Sequence, residues 1–128
     1  MHELIESENG KLIVNSNDSV IGRKLKAEGV WEKYILNEIH SIVKEGDTTI
    51  DCGANLGAHT VPLSKAVGPQ GEVFAFEPSK VIYRQLMGNL YLNNCLNVEA
   101  LNNAASDEPN LDIPFNEVNA LSPRNFGD

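Results

Sequence analysis

Two acidic residues, Asp51 and Glu77, each stand where a short run of strand-forming residues gives way to a turn. Thr48 to Cys52 reads as a strand that breaks into Gly53-Ala54-Asn55-Leu56-Gly57 and then a helix. Glu72 to Phe76 reads as a second strand, ending at Glu77-Pro78-Ser79. Gly53 lets the backbone bend tightly or approach a ligand where a Cβ would obstruct it. Gly57 is expected to open the helix, whose first N–H groups are unpaired and favour a negative ligand group.

The acid before the turn decides which ligand suits it. Asp51 would repel a dinucleotide pyrophosphate and hold an ammonium. S-Adenosylmethionine carries an ammonium and a carboxylate on its methionine end, and it is the leading candidate. Glu77 is placed to accept both hydroxyls of a ribose, as ligands of open α/β sheets bind at the carboxyl ends of the strands. It also precedes a helix N-terminus, where a carboxylate is favoured without any ligand. A phosphate-binding Walker loop needs Gly-Lys-Ser/Thr where this chain has Leu56-Gly57-Ala58. The nicotinamide fingerprint needs a second glycine where Asn55 stands. His59 is either a base at the mouth of the site or a structural or solvent-facing histidine. Trp31 and Tyr34 read as core residues, and Glu32 between them as a surface carboxylate or one facing the cofactor.

The elements that position these residues follow from periodicity. Residues 10–25 suggest a hairpin: an apolar run from Lys11 to Val14, a turn over Asn15 to Ser19, and a return run from Val20 and Ile21 into the basic cluster Arg23, Lys24, Lys26. A helix is predicted from about Val30 to Lys44, with Tyr34, Ile35, Ile39, Ile42 and Val43 at helical spacing and Gly46 as its C-cap. Past Gly57, Val61 to Val67 continues as helix, capped by Thr60, with Pro62 tolerable in the first turn. The apolar run Val73 to Phe76 suits a strand covered on both faces by helices. Ser79 is a natural N-cap for a helix to about Asn93 carrying Tyr83, Leu86, Met87 and Leu90 on one stripe. Val98 to Leu101 makes a third strand, and Leu111, Ile113 and Phe115 suggest one more. Alternating strands and helices make a parallel α/β half-sheet with right-handed crossovers.

The bulk composition is that of an ordinary globular chain of 128 residues, enough for one domain. A net charge of −8 argues against a general nucleic-acid binder. There is no membrane-length apolar run and no basic-then-apolar leader, so a cytoplasmic location is expected. Cys52 and Cys95 have no metal-ligand spacing and read as small buried apolar residues; no metal site is expected.

With these residues in place, a resemblance can be stated. Ile50-Asp51-Cys52-Gly53-Ala54-Asn55-Leu56-Gly57-Ala58-His59-Thr60 resembles the first motif of the FkbM family of S-adenosylmethionine-dependent methyltransferases. Val67-Gly68-Pro69-Gln70-Gly71-Glu72-Val73-Phe74-Ala75-Phe76-Glu77-Pro78 resembles its second. Gly29-Val30-Trp31-Glu32, the Asn89-Leu90…Leu92-Asn93 helix end, Asn97-Val98 and Asn103-Ala104-Ala105-Ser106-Asp107 are also similar to it. The resemblance implies a Rossmann-like class I methyltransferase fold and O-methylation of a small molecule such as a sugar or polyketide. It implies a cofactor site of Asp51, Gly53, Ala54, Asn55, Gly57, His59 and Thr60 at the methionine end and Glu77 with Pro78 at the ribose. Asn103 and Ala104 would then approach the adenine.

The family continues with a fourth strand bearing an Asp-x-Glu-Gly type motif and with substrate-facing loops. Here residues 1–47 are read as an N-terminal hairpin and helix, 48–115 as a partial cofactor-binding core, and 116–128 as an irregular tail, all one domain. On that reading the fold is truncated after the third core strand, and Thr48 to Cys52 becomes an open sheet edge. Such an edge invites self-association or a partner chain. The alternative to an enzyme is then an inactive cofactor-binding module or a subunit that needs a partner. The acceptor and the catalytic base are not legible.

Overall fold

The structure, a computed structural model, describes residues 1–109 together with 112, 114, 119, 121–123, 125 and 126. The chain opens with an antiparallel hairpin, β1 (His2–Ser7) and β2 (Gly10–Asn15), in which Ser7 pairs with Gly10 across a two-residue turn. This corrects the expected hairpin: β2 is matched to a strand before it. Glu3, Glu6 and an almost wholly exposed surface disguise β1 in the sequence. Val20 and Ile21 instead lead into α1 (Ile21–Glu28). The Asp18 carboxylate accepts the N–H groups of Val20 and Ile21 and so starts a helix rather than a strand. Ile21 and Leu25, one turn apart, are its buried stripe, while Arg23, Lys24 and Lys26 lie on its solvated side. Gly29, at φ 70°, ends α1 by returning its N–H to Leu25.

The second helix, α2 (Lys33–Ile42), is shorter than expected and ends at Val43 rather than at Gly46. Leu36 and Ile39 are its buried residues, whereas Tyr34 and Ile42 are exposed, against the expected stripe. The core sheet follows as β3 (Thr48–Cys52), α3 (Thr60–Val67), β4 (Glu72–Phe76), α4 (Lys80–Leu92) and β5 (Val98–Leu101). All three strands are parallel in the order β3-β4-β5. Ser79 caps α4 as expected, its Oγ accepting the N–H of Ile82. On α4 the buried residues are Ile82, Leu86, Asn89 and Leu90, and Met87 is exposed.

One face of the sheet is dry. Val73 and Ala75 are fully buried in the two main apolar clusters, which draw on α1, α2, α3, α4 and β2. The other face is not the doubly covered one that the sequence suggested. Ile50 is 65% exposed and Phe74 and Phe76 are half-buried among the described residues. No helix among the described residues is long and apolar enough to cross a membrane. The short strand expected over Leu111, Ile113 and Phe115 lies outside the described residues.

Candidate functional site

At the carboxyl end of the sheet, the chain leaves β3 and turns back over the end of β4. The Phe76 carbonyl accepts N–H groups from both Gly53 and Ala54 at 2.9 Å, which pins the turn to the neighbouring strand. Gly53 has φ 83° with open space where a Cβ would stand, so glycine is required there by backbone conformation rather than by crowding. Asn55 also has positive φ, at 49°, and its own Oδ1 accepts the next N–H, from Leu56, at 2.7 Å. Gly57 has a different reason. At φ 96° it passes under α4, where a Cβ would meet Leu86 Cδ1 at 3.0 Å.

The turn is locked from the second strand end. Glu77 is only 6% exposed, and its carboxylate accepts the Asn55 N–H at 2.9 Å and the Ser79 N–H at 2.8 Å. A carboxylate held by two backbone donors is fixed in position on the wall. Asp51 points toward the start of α3, where the Thr60 hydroxyl donates to its Oδ2 at 2.6 Å. Thr60 therefore orients Asp51 and does not cap α3; the cap position belongs to His59, which makes no side-chain cap bond. Gly57 does not open the helix either: α3 starts at Thr60, and the Gly57 N–H is taken up by Ala54 within the turn.

Together these residues wall a pocket of about 410 Å³. Asp51, Gly53, Ala54, Asn55, His59, Glu77 and Pro78 all line it, so most of the expected set is brought together. Gly57 and Thr60 are buried and do not line it, and neither do Asn103 and Ala104, which are exposed beyond β5. Trp31, read from sequence as core, is half-buried and lines the pocket while packing on the main core cluster. Cys52 corrects another expectation: it is exposed on the pocket wall, whereas Cys95 is buried, which pushes its thiol up from the usual range.

Glu32, for which the sequence left a cofactor-facing role open, and Phe126, which it did not assign, also line the pocket. Glu32 sits at φ 46° and ψ 61°, a left-handed conformation uncommon outside glycine and asparagine. Its carbonyl starts α2 by accepting from Ile35, and its side chain joins the pocket with His59. Phe126 is 4% exposed, packs on Ile82, and accepts a bond from Asn55 Nδ2 at 3.2 Å. The flanking acid-between-aromatics oddity was the signal for Glu32; residues 117–128 carry no periodicity that could have indicated Phe126.

A larger groove, about 690 Å³, lies at the opposite end of the strands, between Ser64, Gly68–Glu72 and Asn93–Asn97. None of the strand-end acids reaches it, and in open α/β sheets it is the carboxyl end that binds ligands.

Comparison with known proteins bears on the fold. Over 89 residues the chain is 32% identical to a demethylmenaquinone methyltransferase of Staphylococcus carnosus, covering 70% of this chain and 35% of that protein. Among solved structures, a SAM-dependent O-methyltransferase from Thermotoga maritima matches at TM-score 0.55 and 29% identity, covering 86% of this chain and 44% of that one. A putative rRNA-methylase from Clostridium thermocellum matches at TM-score 0.55 and 27% identity, covering 56% and 39%. No protein-family model matches the chain. The fold is the Rossmann-like class I methyltransferase fold, with three parallel strands in its sheet among the described residues. The chain spans about a third of the length of the curated relatives it matches, 35% and 31%.

Proposed function

We propose that this chain is the S-adenosylmethionine-binding part of a methyltransferase. The observation that carries it is the buried Glu77 carboxylate, fixed by Asn55 and Ser79 N–H groups on the wall of the strand-end pocket. A carboxylate so held suits the two hydroxyls of a ribose. Glu32, Asp51 and Glu77 put three carboxylates around a space that holds one imidazole. That balance favours a ligand bearing positive charge, as the sulfonium and ammonium of S-adenosylmethionine do, over a dinucleotide pyrophosphate. The cofactor would supply the methyl group. The residues of this chain would bind it, align it and exclude water, which is most of what a displacement at a sulfonium methyl needs.

Within that reading, the motif resemblance favours an FkbM-type enzyme of the cytoplasm that methylates oxygen on a small molecule. An O-methyltransferase among the structural neighbours supports the oxygen acceptor, and the net charge of −8 supports a small acceptor over RNA. A second reading has one observation behind it. With β3 paired on one side only among the described residues and Ile50 65% exposed, the chain suits a cofactor-binding subunit that works with a partner chain.

Thermal melts test the cofactor reading. A ligand that binds only the folded state at 100 times its Kd stabilises it by about 2.7 kcal/mol. S-Adenosylhomocysteine should raise the midpoint and NAD should not. The reverse result would refute the assignment.

A further inference from the structure

Asn102, the first residue past β5, closes the carboxyl end of the sheet with its side chain. The last rung between β4 and β5 is the Glu77 N–H on the Leu101 carbonyl at 3.0 Å. Pro78 follows with no N–H to give, and β5 ends at Leu101. There the Asn102 amide takes over from the backbone. Its Nδ2 donates to the Glu77 carbonyl at 2.8 Å and to the Pro78 carbonyl at 3.0 Å. Both partners are carbonyls, so only the amide nitrogen can serve them, one hydrogen to each. Glu77 is thereby held from the turn after β3, from the start of α4 and from the exit of β5. The Asn55 and Ser79 N–H groups fix its carboxylate, while Leu101 and Asn102 fix its backbone. Glu77 and Pro78 both wall the strand-end pocket; Asn102 is exposed and does not line it.

Resting on the cofactor reading above, we propose that Asn102 is a positioning residue for the ribose: by holding the Glu77–Pro78 backbone, it sets where the Glu77 carboxylate meets the two hydroxyls. It acts through Glu77 and touches no ligand atom. A carboxylate accepts from two neighbouring hydroxyls only when its oxygens stand within reach of both. A small shift of the main chain beneath it therefore weakens both bonds together. The Ser79 N–H does not correct such a shift, because it belongs to the same segment, two residues on. A plain staple between two loops would support the fold without regard to the ligand's hydroxyls. A positioning role shows itself in the discrimination between a ligand that has both hydroxyls and one that lacks one.

Two probes separate this from the cofactor reading itself, S-adenosylhomocysteine and its 2′-deoxy analogue. Both are titrated calorimetrically into the wild-type chain, the Asn102→Ala and Glu77→Ala variants, and the chain carrying both substitutions. Circular dichroism checks folding, and Asn102→Ser, which keeps one hydroxyl donor, replaces a misfolded Asn102→Ala. The wild type should favour S-adenosylhomocysteine over the deoxy analogue about tenfold, as one hydrogen bond to a charged group would give. Asn102→Ala should weaken S-adenosylhomocysteine about fivefold and the deoxy analogue by less than about twofold, which narrows that preference. In the Glu77→Ala background, Asn102→Ala should cost nothing further. Equal losses for the two probes, an unchanged preference, or the same loss with and without Glu77 would overturn the proposal. A wild-type chain that binds both probes equally would overturn it too. If neither probe binds the folded wild-type chain, the cofactor reading fails and this inference fails with it.

Discussion

Asn89, in the middle of α4, pairs with the backbone of Ile13 in β2 as a neighbouring strand would. Its Oδ1 accepts the Ile13 N–H at 2.6 Å and its Nδ2 donates to the Ile13 carbonyl at 3.1 Å. The same Nδ2 reaches the Leu56 carbonyl at 2.8 Å, within the turn that follows β3. One turn along α4, Asn93 repeats the pattern on Lys11, with bonds of 3.1 and 2.7 Å. Helix positions four apart thus match strand positions two apart, and the hairpin edge is covered by side-chain amides rather than left open.

Asn89→Ala should therefore destabilise the chain more than Asn93→Ala. Asn89 is fully buried and serves three backbone groups, so its loss should cost about 2–4 kcal/mol. Asn93 is closer to solvent and should cost about 1 kcal/mol. Urea midpoints at constant m-value check this; equal losses would remove Asn89 from its place as the tie between hairpin and turn.

The two turn glycines should respond differently to alanine. Gly53→Ala meets no atom but forces φ 83° on a residue with a Cβ, so the cost is conformational, about 1 kcal/mol. Gly57→Ala combines φ 96° with a 3.0 Å approach to Leu86 and should cost clearly more. Paired melts of the two variants decide it, and a Gly53→Ala loss equal to that of Gly57→Ala would contradict the structure.

Cys52 should react with a thiol reagent in the native chain and Cys95 should not. Cys52 is exposed on the pocket wall; Cys95 is 7% exposed, and burial holds its thiol in the unreactive protonated form. S-Adenosylhomocysteine should slow the Cys52 reaction by covering it. Labelling at both positions at similar rates would count against this packing.

The strand ends were legible because the chemistry is local there. Asp51 closes a strand, and Gly53, Asn55 and Glu77 follow strands, that can be read from their own residues, and all four line one pocket. What sequence hid was tertiary. β1 is recognisable only beside β2, since its own surface is nearly all exposed. Tyr34 and Met87 fit helical stripes by spacing, yet the neighbours that pack on α2 and α4 select Leu36 and Ile82 instead. Glu32 reaches the pocket through one left-handed residue, a conformation no propensity for glutamate anticipates.

The open edge of the sheet yields a further expectation. β3 has a partner on one side only among the described residues, and Ile50 within it is 65% exposed. The isolated chain should self-associate or melt easily, and Ile50→Lys should reduce the association. Light scattering with a thermal melt checks it. A monodisperse monomer with a cooperative transition well above room temperature would sink the idea.

Calorimetric titration of the purified chain with S-adenosylhomocysteine, set beside its Asp51→Ala and Glu77→Ala variants, tests the central claim most directly. The pocket predicts one site in the wild-type chain, weakened by about 1–3 kcal/mol in each variant, the range for losing charged hydrogen bonds. A folded wild-type chain that gives no binding heat, or variants that bind as tightly as wild type, would contradict it.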